Sequence, residues 1–366
     1  MPARPHSRLR SSRQPPPSTE RRAVAAGNEA TERNRRPIAV IGAGSWGTAL
    51  AVHLARTGHP TVLWGRDRAA LADMAATRSN RRYLPDAPFP DGLAVELDLP
   101  RAVGHAAELL IAVPSYGFRG VLADLRPMLR DGLRIAWATK GFEVDTGLLP
   151  HQVAAEVLGE AMPTAVLSGP TFAREVGAGL PTAMTVASRD ETYALSLAQG
   201  LSGPNFRAYT SSDMIGVEVG GATKNVLAIG AGISDGLGFG ANTRVALITR
   251  GLAEMMRLGV ALGAEKDTFM GLAGLGDLVL TCTDDQSRNR RLGLMLAAGR
   301  TVAAAQAAIG QVVEGVLAAR AVRAVARRAG VEMPITEQLH AVLYEGAPPS
   351  EGVAALMRRT VKSEVH

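Results

Sequence analysis

Ordered patterning begins at Pro37. Residues 38–41, Ile-Ala-Val-Ile, form a short unbroken apolar run. A glycine-rich polar stretch follows, then a helical stretch over 48–57 that Gly58 closes. Short apolar runs bounded by turn residues read as buried strands, and a 3.6-residue period reads as helix. The alternation continues, with strands expected at 61–64, 93–97, 108–113, 133–138, 164–167 and 183–187. Helix-like stretches lie between them, including 118–129 and 149–158. Pro85, Pro88 and Pro90, with Gly92 just beyond, mark an irregular loop. Alternating strands and helices predict a doubly wound, mostly parallel sheet. From about Ile215 the strand pattern gives way to Ala- and Leu-rich helix with glycine punctuation. Asn242 is expected to cap a helix running to about Leu262, and Thr301 and Pro334 to start later ones. The expected fold class is α/β plus all-α.

Composition narrows the function classes. Hydrophobic residues make up 46% of the 366 and charged residues 20%, which excludes a largely disordered chain. No apolar run approaches the ~18 residues of a membrane span. Cys282 is the single cysteine, so a reducing, cytoplasmic setting is expected. The net charge of +6 suggests nucleic acid until it is located. Residues 1–36 carry nine arginines against Glu20, Glu29 and Glu32, and the rest balances at 31 basic and 31 acidic groups. The excess therefore sits in a Pro/Ser/Arg-rich tail without hydrophobic periodicity. Its glutamates argue against a targeting peptide, and no aromatic is interleaved for base stacking. An inert extension, or one read from a misplaced start codon, is the favoured reading.

The polar stretch after the first strand is Gly42-Ala43-Gly44-Ser45-Trp46-Gly47. Strand, G-x-G-x-x-G, helix and second strand within about 30 residues is the context in which this motif binds a dinucleotide. The glycines permit a tight turn and close backbone approach, and the pyrophosphate rests on the helix N-terminus. After the second strand the chain reads Trp64-Gly65-Arg66-Asp67. An NAD site usually places a carboxylate there for the ribose hydroxyl. Arg66 suits a 2′-phosphate instead, so NADP(H) is preferred. Asp67, one position late, keeps NAD(H) open. Residues 37–212 are accordingly read as a Rossmann-like dinucleotide-binding domain, and 213–366 as a helical substrate-binding and catalytic domain.

Only four of the 40 basic residues are lysines, and lysine, unlike arginine, can trade a proton. Lys140 follows a strand in Ala-Thr-Lys-Gly, and Lys224 sits in Gly-Gly-Ala-Thr-Lys-Asn-Val, whereas Lys266 and Lys362 read as solvated charges. Asp277 and Thr281 share a helix face four residues apart. Ser287-Arg288-Asn289 offers donors for an anionic oxygen cluster, with Arg290 and Arg291 read as a solvated face. His53, His59, His105, His151 and His340 stand outside any motif, and no spacing suggests a metal.

Taken together, these motifs resemble the bacterial NAD(P)-dependent glycerol-3-phosphate dehydrogenases. Gly-Ala-Gly-Ser-Trp-Gly-Thr-Ala-Leu, Ala-Thr-Lys-Gly and Leu-Ser-Gly-Pro-Thr-Phe-Ala carry the resemblance. So do Gly-Gly-Ala-Thr-Lys-Asn-Val, Ala-Gly-Leu-Gly-Asp-Leu and Ser-Arg-Asn-Arg-Arg, in that family's order from Ile38 to about Leu343. The resemblance implies conversion of dihydroxyacetone phosphate to sn-glycerol 3-phosphate for glycerophospholipid synthesis. It makes Lys224 the proton donor and acceptor. Substrate contacts would be Lys140, Gly169, Thr171, Asn225, Asp277, Thr281, Ser287, Arg288 and Asn289. Cofactor contacts would be Gly42, Gly44, Ser45, Trp46, Gly47, Arg66, Ala173, Val312 and Glu314, with Lys140 and Arg288 reaching it as well. The partner expected is a small-molecule substrate, with no nucleic acid and no membrane, and a homodimer is compatible. The rival readings are a 6-phosphogluconate- or ketopantoate-type reductase and a non-catalytic nucleotide sensor. Deleting residues 1–36 should leave kcat, KM and the melting midpoint nearly unchanged, because the tail lacks core-forming periodicity. A melt lowered by many degrees would show that it packs on the domain.

Overall fold

All four residues of Ile38–Ile41 (β1) are buried because the strand has a core on each face. Ile38 and Val40 pack into one, Ala39 and Ile41 into the other. Two-sided burial is why a central parallel strand is an unbroken apolar run. The computed structural model describes residues 35–358 together with 360 and 363, so the readings of the tail and of Lys362 lie almost wholly or wholly outside the described residues.

β1 leads into α1 (Ser45–Arg56), β2 (Thr61–Trp64), α2 (Arg68–Thr77), β3 (Leu93–Val95), α3 (Leu99–Gly104), β4 (Glu108–Ile111) and α4 (Ser115–Leu125). Then come β5 (Arg134–Trp137), α5 (Pro150–Leu158), β6 (Thr164–Ser168), α6 (Ala173–Ala178), β7 (Thr182–Ala187), α7 (Glu191–Leu201) and β8 (Phe206–Ser211). Among the described residues the strands form one eight-stranded sheet, ordered β3-β2-β1-β4-β5-β6-β7-β8. Only the β6–β7 pairing is antiparallel. The sheet is therefore doubly wound and mostly parallel, as expected.

Three details depart from expectation. β8 was not foreseen: it is an edge strand in which only Phe206 is buried, so its sequence lacks an apolar run. The first helix starts at Ser45, three residues early, so the last glycine of the motif already lies inside it. Asn242 does not cap the long helix α9 (Gly240–Ala261), which starts after Phe239 with no side-chain cap. Gly238 and Gly240, both at positive φ, make that turn. By contrast, Thr301 accepts from the Ala304 N–H at 3.2 Å, and Pro334 stands in the first turn of its helix.

The helical half is built round α8 (Met214–Gly236), buried along nearly its whole length. A helix apolar on all sides belongs inside a bundle. Around it lie α9, a π-helical turn over Leu272–Gly276, α10 (Asp277–Thr283), α11 (Arg288–Ala297), α12 (Val302–Ile309), α13 (Glu314–Arg328), α14 (Pro334–Tyr344) and α15 (Pro349–Met357). α8 and α11 touch backbone to backbone. A Cβ at Gly232 would strike the Arg290 carbonyl, and one at Gly293 would strike the Ile229 carbonyl. No helix among the described residues is long and apolar enough to cross a membrane.

Candidate active site

β1, β2, β4 and β5 end in line: Ile41 pairs with Trp64 and with Ile111, and Ile111 with Trp137. The loops that follow open together onto a cleft of about 830 Å³ that the helical half closes from the other side. On the sheet side Gly42 sits at φ 124°, and a Cβ there would strike the Ala112 carbonyl. A Cβ at Gly47, which lies behind the cleft wall, would strike the Gly42 carbonyl. The turn requires both glycines. Asn80, which no pattern in the sequence singles out, braces this turn by donating to the Ala43 carbonyl at 3.1 Å and to Thr48 Oγ1 at 2.8 Å.

No side chain caps α1, so the first-turn amides at Ser45, Trp46 and Gly47 remain available at the positive end of the helix. The Trp46 indole N–H is buried and has no partner among the described residues. An uncapped N-terminus beside a glycine turn fits a dinucleotide pyrophosphate. Farther along the same wall stands exposed Arg66. Asp67 commits its side chain to capping α2, accepting from the Ala70 N–H at 3.0 Å. Arg68 donates to the Leu97 carbonyl at 3.4 Å, and Arg82, another cation lining the cleft, lies 5.0 Å over the Tyr83 ring. Ala173, Val312 and Glu314 also line the cleft.

Where the two halves meet, three charged groups converge. Lys224 Nζ donates to Asp277 Oδ1 at 2.5 Å and to Thr281 Oγ1 at 3.2 Å, while Lys140 Nζ donates to Asp277 Oδ2 at 2.6 Å. Asp277 lies beneath the cleft surface, 1% exposed, and Thr281 sits one helical turn on, as the spacing foretold. Burial lowers the Lys224 pKa to about 8, with Asp277 opposing that fall and Lys140 adding to it. Burial alone would raise the Asp277 carboxyl, but the two ammoniums outweigh it and hold its pKa below the usual value. Two cations on one carboxylate leave a surplus positive charge facing the cleft. That surplus suits an anionic ligand or a growing oxyanion.

The helical wall continues from this cluster. Asn289 Nδ2 donates to Asn225 Oδ1 at 2.9 Å, and Asn289 Oδ1 accepts from the Gly315 N–H at 2.9 Å. Asn225 Nδ2 reaches Glu314 at 3.3 Å. Ser287 caps α11, and Arg288 lines the cleft, reaching Gln311 at 3.4 Å. Thr171 lines the sheet side, donating to the carbonyl of Gly169 just behind it at 3.2 Å. The solvated-face reading of Arg290 is overturned: it is buried and pairs with Asp235 at 2.7 Å and with Asp285. Arg291 is half-buried and lines the cleft. Gln286, also unforeseen, spans the cleft rim to Glu175 at 2.8 Å. Its partner lies 111 residues away, so nothing local announces it. Among the described residues no group of three or more His, Cys, Asp and Glu is placed to hold a metal.

Comparison with known proteins finds relatives for both halves of the chain. Residues 37–194 match the family model for the NAD-dependent glycerol-3-phosphate dehydrogenase N-terminus, and 213–354 the model for its C-terminus. A glycerol-3-phosphate dehydrogenase (NAD(P)+) of Aeromonas hydrophila is 60% identical over 328 residues, covering 89% of this chain and 98% of its own. One of Cronobacter sakazakii is 58% identical over 328 residues, covering 89% and 97%. The crystal structure of a glycerol-3-phosphate dehydrogenase from Coxiella burnetii superposes with a TM-score of 0.86 at 48% identity, covering 89% of this chain and 100% of that one. A ketopantoate reductase from Ralstonia eutropha, at 17% identity and a TM-score of 0.53, shares the fold alone. With both halves matched in order and a relative 60% identical across nearly its full length, this chain belongs to the NAD(P)-dependent glycerol-3-phosphate dehydrogenase family.

Proposed function

We propose that this chain interconverts dihydroxyacetone phosphate and sn-glycerol 3-phosphate, with Lys224 as the acid/base, and supplies the product to glycerophospholipid synthesis in the cytoplasm. The observation that carries the reading is Lys224 and Lys140 sharing one buried carboxylate, Asp277, at the floor of the cleft. The nicotinamide cofactor, when bound, exchanges a hydride with substrate C2. In reduction negative charge grows on the C2 oxygen, and the Lys224 ammonium stabilises it and then donates its proton. In oxidation the free amine takes the hydroxyl proton. Asp277 holds Lys224 in place through Oδ1, while Lys140 occupies Oδ2 and adds positive charge at the substrate. Ser287, Arg288 and Asn289, with Asn225, hold the phosphate at the N-terminal end of α11. Gly169 and Thr171 close the site from the sheet. Binding the phosphate away from the reacting carbon orients that carbon. The sheet half would thus hold the cofactor and the helical half the substrate, divided near residue 212; a homodimer is the assembly we expect.

NADPH oxidation with dihydroxyacetone phosphate tests the reading directly. Turnover with ketopantoate or 6-phosphogluconate instead would replace it, and nucleotide binding with no turnover would favour a sensor.

A preference for NADP(H) is part of the proposal and rests on Arg66, with Asp67 engaged in a helix cap. Arg66→Ala should weaken NADPH by ~10- to 150-fold and NADH little, because only NADPH loses a charge-assisted bond of ~1.5–3 kcal/mol. Added salt should weaken NADPH more steeply than NADH in the parent. Equal losses for both cofactors would assign Arg66 to the loop or the adenine and remove the preference.

A further inference from the structure

Trp137 ends β5, three residues before Lys140, and its indole N–H donates to Glu218 Oε1 at 3.0 Å. Glu218 lies on α8, six residues before Lys224. The same oxygen accepts the His151 backbone N–H at 3.0 Å, and Oε2 meets His151 Nδ1 at 2.6 Å. The Glu218 side chain is 1% exposed. A carboxylate so buried is costly unless its oxygens are met, and here donors from β5 and α5 meet both. Midway between Glu218 and Lys224, α8 presents Gly221. A Cβ there would come within 3.3 Å of Lys140 Cγ and Cδ, so the stem of Lys140 runs along α8 at this point. Lys140 is thus rooted just past β5, guided by α8 and held at its tip by Asp277.

We propose that Glu218 is a positioning residue: by clamping Trp137 and His151 it fixes β5 against α8 and sets how closely the Lys140 ammonium approaches the Asp277–Lys224 pair. The inference rests on Lys224 as the acid/base. Glu218 does not line the cleft, so it acts only through what it holds. Lys224 faces Asp277, Thr281 and Cys282 from α10, Lys140 from the loop after β5 and Glu314 from α13. Glu218 itself faces Trp137 and His151. Lys140 both repels the Lys224 charge and competes for Asp277, so a retreat of Lys140 makes Lys224 hold its proton more tightly.

The test is kcat and KM against pH for the full chain carrying Glu218→Leu, Glu218→Gln or Trp137→Phe. Glu218→Leu should lower kcat about tenfold, part of the ~100-fold that a 1 Å misplacement brings. It should leave KM for NADPH unchanged and move the limb near pH 8 upward by about half a pH unit. Glu218→Gln still accepts both N–H groups and should recover most of both losses. Trp137→Phe should give a smaller shift of the same sign, which keeps the test alive if Glu218→Leu does not fold. A lower melting temperature with parental kcat and an unmoved limb would overturn the proposal, as would a Gln variant no better than Leu. Failure of the underlying reading looks different: the parent itself would lack the limb and Lys224→Arg would retain turnover, removing the proposal with it.

Discussion

Lys224→Arg keeps a positive charge on α8 and loses at least ~100-fold in kcat, the usual scale for a general acid/base. Guanidinium does not give up a proton near neutral pH, so it can stabilise an oxyanion without completing the transfer. The pH dependence follows from the Lys224 pKa of about 8. Reduction needs the ammonium, so its kcat should fall as pH rises through about 8. Oxidation needs the free amine, so its kcat should rise over the same range. Both limbs should vanish in the arginine variant. Near-parental turnover, or limbs that persist, would take Lys224 out of its role.

Asp277→Asn should be nearly as damaging for a different reason. It leaves the buried Lys224 ammonium and the partly buried Lys140 ammonium facing an amide of the same shape, with the counter-charge gone. Such a pair does not stay doubly charged in a poorly solvated site. Lys224, the more enclosed of the two, should shed its proton first and titrate below about 8. At pH 7–8 the reductive kcat should then drop by ~100-fold, since the acid is missing, and recover in part as pH is lowered. Oxidation, which starts from the free amine, should lose less. A pH profile of both directions checks this, and an unmoved limb would mean that Asp277 does not set the charge state of Lys224.

Much of this site is legible in the sequence because its chemistry is local. The glycine turn, the Lys140 loop, the Lys224 helix, the Asp277/Thr281 pair and Ser287-Arg288-Asn289 each fit within a few residues, and the fold brings them to one cleft. What escapes is set by distant partners. Arg290 looks solvated until Asp235, 55 residues earlier, is packed beneath it. Asn80 and Gln286 gain meaning only from the carbonyl, hydroxyl and carboxylate they reach across the fold. β8 hides for the opposite reason: an edge strand buried at one residue in six has no apolar run to display. The helix after the Gly238 turn is legible, but its start is not, because glycine conformation rather than a capping side chain sets it.

Because α8 and α11 meet at Gly232 and Gly293 with no side chain between them, Lys224, the proposed proton donor, and Arg288, a proposed phosphate ligand, sit on the two arms of one cross-brace. Lys224 lies eight residues from the crossing and Arg288 five, roughly 12 Å and 8 Å along the two axes. Bulk introduced at the crossing would work through these arms as through levers, so a small tilt at the pivot becomes a displacement of similar size or larger at the substrate. A side chain added at either glycine should therefore disturb the Lys224 and Arg288 ends of the two helices together.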